Sequence, residues 1–271
     1  MTTAPGATTP GATTPGTTSP GTTTPGAATR AAGRFAPRRQ ALLVHAAATA
    51  TVAVGALVSR ALLPQASSLV RSLVVSLPLV VLAPVLATRL GGWRSAGVNR
   101  PREWHDLHLL VLPALLTLVP LLGGLRQVDR ATLAVLVTGY VLTGFFEETI
   151  WRGVVLRALA PTGPLRAALF GSVLFGAAHL TNVLLRENAA LVAAQAVGAF
   201  CFGFGYAALR LRTGTIVPLM VLHMLTDLLA AVGGLPKIPV LVGQDVVLLV
   251  LGLVLLRHHR GGARTPEVGV A

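Results

Sequence analysis

Long apolar runs separated by short polar loops occupy most of the chain after residue 39. A bilayer core takes about 20 apolar residues per helix. Eight runs approach that length, near residues 40–58, 69–90, 107–122, 131–150, 167–185, 190–209, 215–232 and 239–256. The pattern therefore predicts an all-α, polytopic membrane protein with about eight transmembrane helices, the fourth of which continues as helix to about Ala160.

The segments that flank this region lack apolar runs and predict two tails. Residues 1–39 begin with five Pro-Gly pairs spaced among Thr and Ala and end in several arginines. Such a composition cannot build a core and predicts a disordered tail. Residues 258–271 form a short basic tail. The expected organisation is one transmembrane helical domain, residues 40–257, with a tail at each end.

Composition agrees with membrane insertion. The chain of 271 residues is 53% hydrophobic and 11% charged, with a mean hydropathy of +0.72, which a water-soluble domain of this length would not tolerate. The net charge of +13 does not indicate nucleic-acid binding, because the basic residues lie between apolar runs rather than on a polar domain. The single cysteine, Cys201, excludes a disulfide framework and a cysteine-based zinc cluster.

The distribution of arginines predicts the orientation. Cytoplasmic loops of membrane proteins carry the excess of Lys and Arg. With eight spans and the N-terminus inside, sixteen of the 22 Lys and Arg residues fall on the cytoplasmic side and six fall outside. We therefore expect a multi-pass protein of the cell membrane with both termini in the cytoplasm.

Six polar residues stand out because they lie within or beside apolar runs, where an ionised side chain costs roughly 2.5–3.5 kcal/mol to insert. They are Glu147, Glu148, Arg152, His179, His223 and Asp227. With 1.5 Å of rise per helical residue, Glu147, His179 and His223 are expected roughly 14–20 Å below the cytoplasmic face. Three separate segments thus place polar groups at one depth, which predicts an active site within the helix bundle.

The spacing of these residues has chemical meaning. Glu148 and Arg152 are i,i+4 neighbours on one helical face, so the arginine can neutralise and orient the glutamate. Glu147 points about 100° away from that face and is expected to stay free. His223 and Asp227 share a face in the same i,i+4 relation, so the carboxylate can fix the tautomer of the imidazole or complete a polar site.

One carboxylate with two neutral imidazoles is a plausible Zn²⁺ set, here Glu147, His179 and His223, and the same groups could activate water without a metal. Phe175 lies one turn before His179, where its ring would shield the site from lipid. The alternative is that these residues form buried polar pairs that tie helices together.

In this order the motifs resemble those of the CAAX prenyl protease and bacteriocin-processing family (CPBP, or Abi) of intramembrane proteases. That family is marked by Glu-Glu-x-x-x-Arg, Phe-x-x-x-His and His-x-x-x-Asn/Asp on successive membrane helices. This chain has these motifs at residues 147–152, 175–179 and 223–227. The resemblance covers about residues 90–232 and implies that residues 40–257 are a transmembrane helical protease domain.

The resemblance implies hydrolysis of a peptide bond inside the membrane by a CAAX-type metalloendopeptidase. It assigns Glu147 and His179 to the attacking water. It assigns Glu148 and Arg152 to supporting the helix and the charge of the site.

The same resemblance implies that His223 and Asp227 hold a metal or stabilise the oxyanion. One Zn²⁺ ion and a metal-free, glutamate-driven mechanism both stay open. The implied partners are a membrane-associated peptide or protein substrate and the lipid bilayer.

Other functions compete with this one. Zincin-type, rhomboid-like and aspartyl intramembrane proteases do not fit, because the chain has no His-Glu-x-x-His, Gly-x-Ser-Gly or Gly-x-Gly-Asp motif. An ion- or proton-coupled transporter would also bury Glu, His and Asp at one depth, although no repeated half is visible. A non-catalytic bacteriocin-immunity or scaffold membrane protein is the third alternative, because family resemblance does not guarantee turnover.

Overall fold

The computed structural model describes residues 1–2, 27–186 and 188–257, with side chains of the first helix described from residue 36. Ten α-helices make up most of these ranges. In chain order they are α1 (Ala27–Leu62), α2 (Ser68–Arg89), α3 (Trp93–Ala96), α4 (Val111–Leu118), α5 (Arg130–Glu147), α6 (Leu156–Leu159), α7 (Pro164–Ala178), α8 (Ala189–Thr213), α9 (Val217–Val232) and α10 (Lys237–Arg257). Within the described ranges the only β pairing is an isolated bridge between Leu125 and Gly233.

Tighter and wider helical turns join several of these helices. Segments of 3₁₀-helix flank α4 at Trp104–Leu110 and Val119–Gly123, follow α6 at Ala160–Thr162 and extend α7 at His179–Leu184. A π-helix, Glu148–Val155, connects α5 to α6 without a break. The predicted continuation of the fourth span to about Ala160 therefore agrees with a helical segment that runs from Arg130 to Thr162.

Seven helical segments in the described part of the chain are long and apolar enough to cross a membrane. They are Ala36–Leu62, Ser68–Arg89, Trp104–Gly123, Arg130–Thr162, Pro164–Leu184, Ala189–Thr213 and Lys237–Arg257. The eighth apolar helix, α9, has only 16 residues. It stops before Gly233, where an added Cβ would lie 2.5 Å from the Cβ of Pro120. The predicted all-α, polytopic membrane class is confirmed, with seven long apolar helices and one shorter one.

The predicted third span, residues 107–122, is present as the helical segment Trp104–Gly123. Within it, α4 has eight residues and 3₁₀ turns flank it on both sides, so the segment differs from a uniform α-helix. Prolines within this segment, Pro113 and Pro120, lack the amide proton that an uninterrupted α-helix needs.

The first helix also differs, because α1 begins at Ala27, inside the predicted tail. Residues 27–34 are mostly Ala and Arg, which are strong helix formers. The Pro-Gly repeats at residues 5–26 lie outside the described residues, and so does the predicted basic tail at 258–271.

The bundle packs around α8, which contacts α7 on one side and α10 on the other, while α5 lies between α2 and α9. Glycines allow the closest helix contacts, as is usual within membranes. A Cβ at Gly176 of α7 would lie 2.6 Å from the carbonyl oxygen of Ala196 in α8. A Cβ at Gly144 of α5 would lie 2.7 Å from the carbonyl oxygen of Met220 in α9. These contacts bring the three motif-bearing segments together.

Candidate active site

The Glu-Glu-x-x-x-Arg motif lies where α5 becomes the π-helix. Glu147 is the last residue of α5, and all eight residues of Glu148–Val155 are buried. Short π-helical segments occur frequently at functional sites. Glu147 and Glu148 lie at this junction, and the carboxylates of both approach the imidazole of His223 in α9.

Glu148 forms the central polar contact of the site. Its Oε1 lies 2.8 Å from Nδ1 of His223 in α9. Because an ionised carboxylate can only accept a hydrogen bond, Nδ1 of His223 is the donor. The same oxygen lies 3.4 Å from Nη1 of Arg152, so the i,i+4 pair expected from the spacing is present. Glu148 is fully buried and Arg152 is 2% exposed, so the pair is shielded from solvent.

Aromatic rings surround the buried guanidinium group. Cζ of Arg152 lies 3.9 Å from the ring centroid of Phe175, and 5.6 and 5.8 Å from those of Phe202 and Tyr206. Ring faces at such distances attract a cation. The Phe202 ring also packs against His223, with centroids 4.7 Å apart. The motif analysis missed Phe202 and Tyr206, although their i,i+4 spacing among glycines in α8 was a signal for two adjacent rings.

The second nitrogen of His223 faces two further carboxylates. Nε2 lies 3.6 Å from Oε2 of Glu147 and 3.7 Å from Oδ2 of Asp227. Oε2 of Glu147 has no hydrogen-bond partner among the described residues, so this glutamate is free although it lies beside the imidazole. Asp227 lies beside His223, as their i,i+4 spacing predicted. The carboxylate that holds Nδ1 of His223 comes from a different helix and belongs to Glu148.

His179 occupies the junction between α7 and the following 3₁₀ segment. Its Nδ1 lies 2.9 Å from the carbonyl oxygen of Phe175 and must donate, since a carbonyl oxygen only accepts. In the neutral ring, Nε2 then keeps its lone pair. The Phe175 ring stands edge-on to His179 with centroids 4.8 Å apart, as the spacing predicted. The same Phe175 ring packs against the guanidinium group of Arg152, so His179 and the Glu-Glu-x-x-x-Arg motif share one aromatic neighbour.

A metal ion is implied by the family resemblance, and its expected ligands are Glu147, His179 and His223. In the described part of the chain, no three His, Cys, Asp or Glu side chains are arranged so that they could hold a metal ion together. The Zn²⁺ expectation stays a prediction, with Glu147, His179 and His223 as the residues that would hold the ion, and such an ion would lower the pKa of a bound water. The reaction proposed for this site uses protein groups and water.

Several buried polar atoms at the site lack a hydrogen-bond partner among the described residues. They are Oε2 of Glu147, Oε2 of Glu148, Nη1 and Nη2 of Arg152 and Nε1 of Trp151. Buried polar atoms are nearly always paired in folded proteins, so unpaired ones mark places where water or substrate binds. The concentration of such atoms along residues 147–152 supports a site that takes a polar ligand.

The fold and the site together define a class: a polytopic helical membrane protein that buries a carboxylate–histidine site between its helices. Residues 129–229 match the family model described as Rce1-like, "Type II CAAX prenyl endopeptidase Rce1-like". Residues 129–229 are thus similar to an Rce1-like domain of the CAAX protease (CPBP/Abi) family, which confirms the resemblance inferred from the motifs. The matched segment contains all six candidate residues. No curated protein matches the chain.

Proposed function

We propose that this protein is an intramembrane endopeptidase that hydrolyses a peptide bond of a membrane-associated protein or peptide precursor. The observation that carries the proposal is the placement of His223 between two adjacent glutamates, with Glu148 at Nδ1 and Glu147 at Nε2. A pairing of this kind gives an imidazole a fixed orientation. It also leaves one carboxylate, Glu147, available as a general base.

The buried pair of Glu148 and Arg152 sets the electrostatics of the site. Arg152 balances the charge of Glu148, and Glu148 in turn holds the Nδ1 proton of His223. In this proposal the two residues position the imidazole. Because the pair is shielded from water, its interactions are stronger than on a protein surface.

Glu147 is the proposed general base. A water on Oε2 of Glu147 is within hydrogen-bond reach of Nε2 of His223, since these two atoms are 3.6 Å apart. His179, with its Nδ1 proton donated to Phe175, offers Nε2 as an acceptor for the second proton of that water.

The reaction that this geometry supports is a direct attack by water. Glu147 takes a proton from the water, and the oxygen of that water forms a bond to the carbonyl carbon of the substrate. With Glu148 at Nδ1 and Glu147 and Asp227 beside Nε2, His223 acts in its doubly protonated, positively charged form. Nε2 then also carries a proton and donates a hydrogen bond to the resulting oxyanion. Glu147 then passes the proton to the leaving amine as the C–N bond breaks. The products are a carboxylic acid and an amine.

The arginine distribution supports a site that opens toward the cytoplasm, with a substrate that approaches from that side. Within this proposal the substrate is a peptide segment in or near the membrane.

The test uses the full-length protein, purified in detergent and incubated with a panel of membrane-peptide reporters. Glu147→Gln keeps the side-chain shape but loses the base, so hydrolysis should fall by ~10²–10⁴. Glu103→Gln makes the same chemical change at an exposed position outside the site and should cut like wild type. Full proteolysis by Glu147→Gln would show that this carboxylate is not the base. Proton-coupled flux without any cleavage product would favour a transporter instead.

A further inference from the structure

Two arginines pack across glycines away from the active site. Arg210 belongs to the last turn of α8, and Arg102 belongs to the loop between α3 and α4. Arg210 lies over Gly97, so that a Cβ on this glycine would collide with the guanidinium group. Arg102 lies over Gly214, where a Cβ would lie 2.5 Å from its Cγ. Both glycines have positive φ angles, +97° and +75°, which residues with a side chain rarely adopt. The loops are therefore shaped to receive these two side chains.

Hydrogen bonds between the two loops fix the positions of both arginines. The amide of Arg102 donates to the carbonyl oxygen of Thr213 at 2.9 Å. The amide of Ile216 donates to the carbonyl oxygen of Gly97, also at 2.9 Å. Thr215 Oγ1 donates to the carbonyl oxygen of Asn99 at 2.8 Å. The loop before α4 and the loop after α8 thus form one connected structure beneath both side chains, and Nη2 of Arg210 donates to the carbonyl oxygen of Ser95 at 3.5 Å.

The positive charge of this pair is not balanced within the described residues. No carboxylate there forms an ion pair with Arg102 or Arg210, and the two charges repel each other. Nε of Arg210 is buried and has no hydrogen-bond partner among the described groups. The C-terminal end of α8 favours one nearby cation through the helix dipole. This dipole does not account for two neighbouring cations that repel each other. The unbalanced charge of the pair favours an anion between or beside the two arginines.

The surroundings indicate that this anion belongs to a lipid. Trp104 follows Arg102 by two residues and is 68% exposed, and Trp93 lies in the short helix α3 just before Gly97. Tryptophan rings gather at the level of the lipid headgroups. We propose that Arg102 and Arg210 together bind the phosphate of an anionic lipid headgroup. Arginine suits this role because its guanidinium group can donate two parallel hydrogen bonds to phosphate oxygens.

The proposal is tested with the full-length protein in a nonionic detergent, titrated separately with phosphatidylglycerol and phosphatidylcholine and followed by native mass spectrometry. Wild type should bind phosphatidylglycerol more tightly than phosphatidylcholine. The double variant Arg102→Gln/Arg210→Gln should bind phosphatidylglycerol roughly 10–30-fold more weakly, since each arginine near the surface contributes about 1 kcal/mol toward an anionic lipid. Arg212→Gln removes a charge from the same last turn of α8 and serves as the matched control, which should keep the preference.

Two further measurements separate binding from folding. Arg102 is exposed, so Arg102→Gln alone should weaken phosphatidylglycerol binding while the thermal midpoint stays that of wild type. The double variant with lysine at both positions should recover part of the preference, because it keeps the charge but loses the bidentate geometry.

Three outcomes would overturn the proposal. One is equal binding of the two lipids by wild type, and another is an equal loss of preference in Arg212→Gln. The third concerns the source of the phosphate. If millimolar inorganic phosphate displaces the lipid, the site binds free phosphate and not a headgroup. With a lipid site, inorganic phosphate should leave the bound phosphatidylglycerol in place.

Discussion

Replacing Glu148 with glutamine tests the support that the buried charge pair gives to the site. The amide side chain would keep an oxygen that can accept a hydrogen bond from Nδ1–H of His223, but it would lose the negative charge. Arg152, 2% exposed and 3.4 Å from this carboxylate, would then be a buried cation without its counter-ion. Glu147→Gln is the matched comparison, because it makes the same change one residue earlier in the chain.

The magnitude follows from burial and distance. Removing one partner of a buried ion pair typically costs about 3–5 kcal/mol. The ring of Phe175, 3.9 Å from the guanidinium carbon, offsets part of that loss, since cation–π contacts contribute about 0.5–2 kcal/mol. These ranges combine to about 1–4.5 kcal/mol, and we expect Glu148→Gln to destabilise the protein by about 2–4 kcal/mol, near the middle of that interval. Glu147→Gln should cost less than about 1 kcal/mol, because its carboxylate lies 3.6 Å from His223 and forms no short bond.

The assay is thermal unfolding of the full-length protein in detergent, followed by tryptophan fluorescence at one fixed scan rate, with reporter cleavage measured in parallel. Glu148→Gln should lower the midpoint by roughly 5–15 °C, given about 2–4 °C per kcal/mol for a protein of this size. Glu147→Gln should unfold near the wild-type midpoint and yet fail to cut. Equal midpoints for Glu148→Gln and wild type would refute the view that the pair with Arg152 supports the site.

Three other changes have defined outcomes. Asp227→Asn should keep cleavage within about tenfold of wild type, because asparagine also occurs at this position of the family motif and Asp227 makes no short hydrogen bond to His223; Asp227→Leu should cut less in the same assay. Gly176→Ala should lower the thermal midpoint by the equivalent of about 1–3 kcal/mol through overpacking against α8, whereas Gly171→Ala, with 3.7 Å of clearance, should unfold like wild type. Reporter fusions at Gly261 should be active only in the cytoplasm and fusions near Arg126 only outside, and the opposite pattern would reject the predicted orientation.

Sequence alone was sufficient for the class of protein and for the six polar residues of the candidate site. Apolar runs of about 20 residues are stable in the core of a lipid bilayer. An ionised group inside such a run raises the free energy of insertion, so it stands out in the sequence. Contacts within one helix were also predictable, because i,i+4 spacing places two side chains on the same face. Two such contacts are present as expected: the ion pair of Glu148 with Arg152 and the ring contact of Phe175 with His179.

Helix bounds followed less closely from hydropathy. The start of α1 at Ala27 depends on helix propensity in a segment that is not apolar, and hydropathy does not detect it. The division of the third span into 3₁₀ and α segments reflects how its prolines are accommodated by neighbouring helices. The end of α9 at Val232 agrees with the predicted run 215–232, because Gly233 and Gly234 follow it and favour a helix end.

Only the tertiary structure decided which carboxylate meets which nitrogen of His223. That pairing depends on the rotation of α5 and α9 about their own axes, which is set by packing across the whole bundle rather than by spacing within either helix. Glu147 and Glu148 approach the same imidazole at the point where α5 becomes the π-helix. The rings of Phe202 and Tyr206 reach Arg152 from a different helix. Sequence thus determined which groups the membrane buries, and packing determined how they are paired.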